Sequence, residues 1–161
     1  MHITLLTLSD TRTLATDTSG AWLAQAIGDA GYTLQERTLI KDDIYACRAV
    51  VSRWVADVQV QVIITTGGTG VTGRDGTVEA VRPLLDKELE GFGELFRMIS
   101  YQHIGTSAMQ SRALAGLANR TFEFVLPGSL DAVQTAWQKL IAPQLSADTK
   151  PCNLAQLVSR L

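Results

Sequence analysis

Gly67, Gly68, Gly70, Gly73 and Asp75 fall within thirteen residues, IITTGGTGVTGRD from Ile63 to Asp75, where residue types suited to phosphate chemistry are densest. Glycines lack the Cβ that blocks close approach of backbone amides to a ligand or disfavours positive φ. An apolar β-branched run that stops at such a loop presents those amides at the end of a buried strand. The carboxylate adds a second chemistry. Mg²⁺ is commonly held by one or two carboxylates together with substrate phosphate oxygens. Asp75 and Asp42, the latter just past the preceding strand, supply such a pair. A helix cap at Asp42 and an Asx turn at Asp75 are the plainer alternatives.

Of two standard phosphate motifs, one fails and the other matches only weakly. A Walker A loop needs Gly-Lys-Ser/Thr, and Gly70 is followed by Val71-Thr72. Gly68 to Gly73 satisfies G-x-G-x-x-G literally, but a dinucleotide-binding helix begins inside that fingerprint, whereas Arg74-Asp75-Gly76 delays the helix here to about Thr77. Asp75 would also repel a pyrophosphate unless a cation intervened. Arg74, Arg97 and Arg112 suit phosphate or salt bridges about equally. His103 has no partner at metal-ligand spacing and reads as a hydrogen-bonded structural histidine. Phe92, Phe96, Trp54 and Trp137 read as core or subunit contacts, and Cys47 and Cys152 as thiols without a zinc or disulfide role.

Alternating strands and helices must position these residues. Ile3 to Leu8, Tyr32 to Ile40, Val60 to Thr65 and Thr121 to Leu126 read as strands. Helices are expected from a cap at Thr18 or Ser19, with Trp22, Leu23, Ala26, Ile27 and Ala30 on one face. A second opens at Asp42 or Asp43 (Ala46, Val50, Trp54, Val55 inward), and a third at Thr77 as cap, ending near Pro83. A fourth runs from Gly91 to Tyr101 with Phe92, Leu95, Phe96 and Ile99 inward, and a fifth from Leu130 to Ile141. The tail 142–161 is expected to be extended before a short helix at Leu154 to Ser159, and to be available for a subunit contact. The pattern predicts a three-layer α/β/α sandwich with a mostly parallel sheet, one domain over residues 1–161. In such sheets ligands gather beyond the carboxyl ends of the strands. Ser9 to Arg12, Lys41-Asp42, the glycine loop and Pro127-Gly128-Ser129 are therefore expected to converge.

Composition narrows the partners. With 161 residues, 46% of them hydrophobic, and a net charge of −2, the chain carries no field that draws nucleic acid or anionic lipid. The first ten residues lack a signal-peptide pattern and no run suits a bilayer span, so a cytoplasmic protein is expected.

The chain resembles the MoaB/MogA family of molybdenum cofactor biosynthesis proteins, its MoaB branch above all. The resemblance rests on LSD at Leu8 to Asp10, DTSG at Asp17 to Gly20, TTGGTG at Thr65 to Gly70, and Arg74-Asp75. It continues through EGFGELFR at Glu90 to Arg97, IGTS at Ile104 to Ser107, SRALAG at Ser111 to Gly116, LPGS at Leu126 to Ser129, and IAPQL at Ile141 to Leu145. It implies a molybdopterin-binding domain that adenylylates molybdopterin, with Mg²⁺ as metal and ATP as co-substrate, and releases pyrophosphate. Asp42 and Asp75 would serve as catalytic and metal-holding residues. Thr66, Gly67, Gly68, Thr69, Gly70, Pro127, Gly128 and Ser129 would bind substrate. It further implies homo-oligomers, trimers or hexamers built of paired trimers, and a molybdenum-insertion partner of the MoeA type. One departure is Thr77-Val78-Glu79-Ala80, where the family often has a proline second. A molybdopterin-binding carrier without nucleotide chemistry is the alternative, and a CinA-like protein acting on pyridine nucleotides a more remote one.

Overall fold

His2–Leu8 forms β1, whose residues alternate between two apolar layers: Ile3 and Leu5 face one, Leu6 and Leu8 the other. A strand covered on both faces reads as a continuous apolar run because neither side meets water. The computed structural model describes Met1 to Leu161. After β1 come α1 (Thr18–Asp29), β2 (Thr33–Ile40), α2 (Ile44–Ala56), β3 (Val62–Thr66), α3 (Thr77–Val81) and β4 (Lys87–Glu88). They are followed by α4 (Glu90–Ile104), β5 (Leu114–Ala118), β6 (Thr121–Leu126), α5 (Leu130–Ala136) and, after a π turn at Trp137–Ile141, α6 (Ala142–Leu145). The six strands make one sheet in the order β2-β1-β3-β6-β5-β4. Neighbours among the first four pair in parallel, while β5 runs antiparallel to both β6 and β4.

Helices cover both faces, as the alternation predicts. Leu23 and Ile27 of α1, Phe96 of α4 and Val133 and Ala136 of α5 pack on Ile3, Leu5, Ile64, Phe122 and Phe124. Cys47, Val51 and Trp54 of α2 and Val78, Ala80 and Val81 of α3 close the other layer over Leu6, Ile63 and Val125. The expected three-layer sandwich with a mostly parallel sheet is the observed fold, and no helix is long and apolar enough to cross a membrane.

Several local expectations need correction. The buried face of α2 is Cys47, Val51 and Trp54; Trp54 is where the stripe predicts it, Val50 and Val55 are only half-buried at its margin, and Ala46 faces solvent. On α4 the buried stripe is Gly93, Phe96 and Ser100, with Leu95 exposed. Gly93 lies so near the Ala113 carbonyl oxygen that a Cβ would sit 2.7 Å from it, which brings the helix close on that side. Strands β4 and β5 were not legible, because a two-residue strand has no period and LAGLA has little β propensity. The tail does not begin extended at Ala142. The helix turns wide, with the Ala142 amide bonded to the Trp137 carbonyl five residues back, and continues to Leu145. A wide turn accommodates Pro143, which has no N–H to donate. Beyond it only Val158–Arg160 forms a 3₁₀ turn, in place of a helix from Leu154 to Ser159. Leu154, Val158 and Leu161 pack against the chain's own core.

Helix α1 is capped by Asp17, not by Thr18 or Ser19. One Asp17 oxygen accepts the Gly20 amide at 2.9 Å. The other accepts the Thr7 hydroxyl at 2.7 Å and an Arg37 amino group at 3.0 Å. A carboxylate can serve all three donors at once, which a hydroxyl cannot. Ser19 instead donates to the Gly128 carbonyl at 2.8 Å. Asp17 is only 4% exposed, so Asp17→Ala leaves Arg37 without its charge partner and α1 without a cap. A loss of about 3 kcal/mol is expected in urea unfolding; a midpoint unchanged from wild type would refute this account.

Candidate functional site

Parallel register brings the carboxyl ends of the strands to one edge. Leu8 pairs with Ile40, Thr7 with Thr66, and Thr66 with Leu126. The chain leaves β1 toward β2 on one side and meets β3 on the other, so the topological switch point lies between β1 and β3, where open α/β sheets form their ligand crevice. The four predicted junctions meet there.

The loop after β3 is folded largely against protein atoms. Gly67 and Gly68 have φ of +99° and +63°. A Cβ on Gly67 would lie 2.1 Å from the Leu8 carbonyl oxygen, and one on Gly68 would lie 2.4 Å from the Thr77 hydroxyl and 2.9 Å from Asp42 Oδ1. On Gly70 it would lie 2.7 Å from Asp75 Oδ2, whereas on Gly73 it would meet nothing within 4 Å. The glycines thus differ in purpose, and three make room for the protein itself. Thr77 does not cap α3 as expected. Gly76 holds the cap position, and the Thr77 hydroxyl donates to the Gly67 carbonyl at 2.8 Å while its amide donates to Gly68 at 3.0 Å.

Asp42 and Asp75 both border this loop. The Asp10 amide donates to Asp42 Oδ2 at 3.0 Å, and the Asp42 amide donates to Asp10 Oδ1 at 3.2 Å. Asp42 Oδ1 is buried without a hydrogen-bond partner. Asp43, the other candidate, caps α2 by accepting the Ala46 amide at 2.7 Å, which leaves Asp42 free of that duty. Burial, then the negative charges of Asp10 and Asp75, push the Asp42 carboxyl up from its ordinary value. Asp75 is held low, chiefly by the Thr72 hydroxyl at 2.6 Å, helped by the Thr72 amide at 2.9 Å. This is the Asx turn weighed from sequence, and it coexists with a carboxylate facing the loop. Arg74 pairs with Asp10 through two bonds of 2.9 Å, holding Asp10 low as well.

The donor set fits a divalent cation in a limited way. Asp42 offers a buried acceptor without a partner and Asp75 an ionised carboxylate. No cluster of three His, Cys, Asp or Glu ligands exists to complete a shell. Such an ion would need substrate phosphate oxygens and water, the usual habit of Mg²⁺.

Two hollows flank the loop. One of about 120 Å³ is lined by Ser9, Arg12, Asp17, Thr66, Gly67 and Gly128. The other, about 220 Å³, is lined by Thr69, Pro127 and Ser129 and by residues that the sequence reading did not single out, notably Ser100, Ser107, Ser111 and Thr135. IGTS and SRALAG were the available signals for Ser107 and Ser111. Gly128 lies against Gly67, where a Cβ would sit 3.2 Å from the Gly67 Cα. Thr66 donates to the Pro127 carbonyl at 3.1 Å, and Ser129 caps α5 through the Ala132 amide at 3.3 Å. The larger cavity of about 670 Å³, between the start of α4 and the α5 to α6 turn, contains no predicted site residue. The His103 side chain is exposed at the edge of the 220 Å³ hollow and has no hydrogen-bond partner, contrary to expectation. Arg97 donates to the Ser111 and Ala113 carbonyls.

The fold and this edge define a ligand-binding α/β protein with a glycine loop and two acidic side chains at the switch point. The chain belongs to the family described as "Probable molybdopterin binding domain", which matches residues 4–147, and within it to the MoaB/MogA proteins of molybdenum cofactor biosynthesis. It is 51% identical over 152 residues to molybdenum cofactor biosynthesis protein B of Escherichia coli strain K12, covering 94% of this chain and 89% of that one. A crystal structure of molybdenum cofactor biosynthesis protein B superposes with a TM-score of 0.89 at 43% identity, over 99% of this chain and 94% of the other. A structure of MogA does so with a TM-score of 0.78 at 26% identity, over 99% of both.

Proposed function

We propose that this protein transfers AMP from ATP to molybdopterin. The observation that carries the proposal is the meeting of Asp42 and Asp75 at the glycine loop, with Asp42 Oδ1 buried and lacking a partner. A phosphate oxygen of molybdopterin attacks the α-phosphorus of ATP, the bond to the β-phosphate oxygen breaks, and pyrophosphate leaves with the electron pair. Catalysis of such a transfer is mostly positioning and charge neutralisation. Asp42 and Asp75 are the residues that would hold Mg²⁺, which when bound offsets phosphate charge. Thr66, Gly67, Thr69, Pro127, Gly128 and Ser129 line the two hollows and, with Gly68 and Gly70 of the same loop, would hold the substrates. The hydroxyl-rich 220 Å³ hollow suits a heteroaromatic ring with a polar edge.

The same reading takes residues 1–161 as one cytoplasmic domain that assembles as trimers or paired trimers and passes its product to a MoeA-type partner. Exposed Leu95, Met98 and Tyr101 along α4 support the assembly. Asp42→Asn and Asp75→Asn are each expected to lower AMP transfer to molybdopterin by about 10²- to 10³-fold. Molybdopterin bound tightly by a wild-type protein that forms no adenylylated product would establish the carrier reading instead.

A further inference from the structure

Residues 69–75 form the outer span of the glycine loop, buried at Thr69 and open to solvent from Val71 to Arg74. Inside the span Asp75 closes on Thr72, and Gly70 has no Cβ to obstruct that carboxylate. The protein–protein hydrogen bonds that reach the span from other parts of the chain involve two arginines. Arg74 reaches out to Asp10 at the surface. Arg112 reaches in from the residues leading into β5. Its Nε donates to the Thr69 carbonyl at 3.2 Å and its Nη2 to the Asp75 carbonyl at 3.2 Å, so one guanidinium ties both ends of the span. Glu79 of α3 grips the same guanidinium from the other side. A rigid fork serves these separated acceptors together, which a single ammonium cannot do.

We propose that Arg112 is a positioning residue for Asp75. Held by Glu79 and anchored next to β5, it sets the distance between Thr69 and Asp75 and thereby the placement of the Asp75 carboxylate. Its hydrogen bonds go to protein acceptors, which makes it a brace for the loop and not a phosphate ligand. The proposal rests on the AMP-transfer reading for its consequence in catalysis, and on the loop geometry alone for its consequence in structure.

The test compares wild type with Arg112→Met and Arg112→Lys, and with Glu79→Gln, which removes only the charge that holds the guanidinium. Steady-state AMP transfer to molybdopterin is expected to show kcat lowered about 10²-fold in both Arg112 variants, the scale of loss when a reacting group is misplaced by about 1 Å. KM for molybdopterin should stay within about threefold. Amide hydrogen exchange of the protein alone should be about tenfold faster at Gly70 and Thr72, with the amides of β3 unchanged. Failure of lysine to rescue separates the fork from the charge, and Glu79→Gln should show a smaller loss of the same kind. Wild-type exchange at Gly70 and Thr72 in both Arg112 variants overturns the proposal, as does unchanged kcat in them where Asp75→Asn lowers transfer as expected. Should the wild-type protein form no adenylylated product, the function reading fails by itself, and the exchange at Gly70 and Thr72 decides the role of Arg112.

Discussion

Glu123→Gln is expected to stabilise the protein by about 5 kcal/mol at pH 8 and above, with no gain near pH 4.5. Glu123 lies on β6 between Ile63 of β3 and Gly116 of β5, is fully buried, and has no hydrogen-bond partner for either carboxylate oxygen. Burial therefore raises the Glu123 carboxyl from its ordinary 4.5 to about 8. The neighbouring Cys47 thiol is pushed up to about 12, first by burial and then by Glu123. The folded state keeps the proton while the unfolded chain releases it above pH 4.5. Stability is therefore full below 4.5 and is lost as pH rises through 8, at about 1.4 kcal/mol per pH unit. Glutamine has the same shape and no titration. Urea unfolding of both proteins between pH 4.5 and 9 checks this, and parallel profiles would show that Glu123 has found a partner or a wetter setting.

Gly67→Ala is expected to cost about 4 kcal/mol and to abolish ligand binding. The backbone there has φ of +99°, and an added Cβ meets the Leu8 carbonyl oxygen at 2.1 Å, an atom at the end of a central strand that cannot yield. Leu8 and Gly67 can separate only by prising β1 from β3 at the switch point. Gly73→Ala is the control, since its Cβ enters open space and its φ is ordinary; a change within about 0.5 kcal/mol is expected. Thermal unfolding and molybdopterin titration of the two variants measure the contrast. Equal behaviour of the two would mean that the glycines act through flexibility and not through close packing.

The layered fold was legible because its signals are local. Ile3 to Leu8, Val60 to Thr65 and Thr121 to Leu126 are apolar runs of strand length between turn residues, and parallel strands buried on both faces have to look that way. Short β4, alanine-rich β5 and the tail lacked such signals and take their conformation from the neighbours they pair with or cover.

At the site, the residue types in TTGGTGVTGRD and the aspartate at position 42 were enough to suggest phosphate and a divalent cation, because glycine backbone and carboxylate chemistry belong to the residues themselves. Tertiary structure assigned the partners. Asp17 displaced Thr18 and Ser19 as the cap of α1 because Thr7 and Arg37 lie beside it in space, ten and twenty residues away. Asp42 was left with an unpartnered oxygen because Asp43 took the cap. Arg112 became a brace because β5, unreadable as a strand, sets it across from Thr69 and Asp75. Periodicity and residue chemistry are written along the chain, whereas hydrogen-bond partners and desolvation depend on contacts between distant segments that exist only once the sheet has closed.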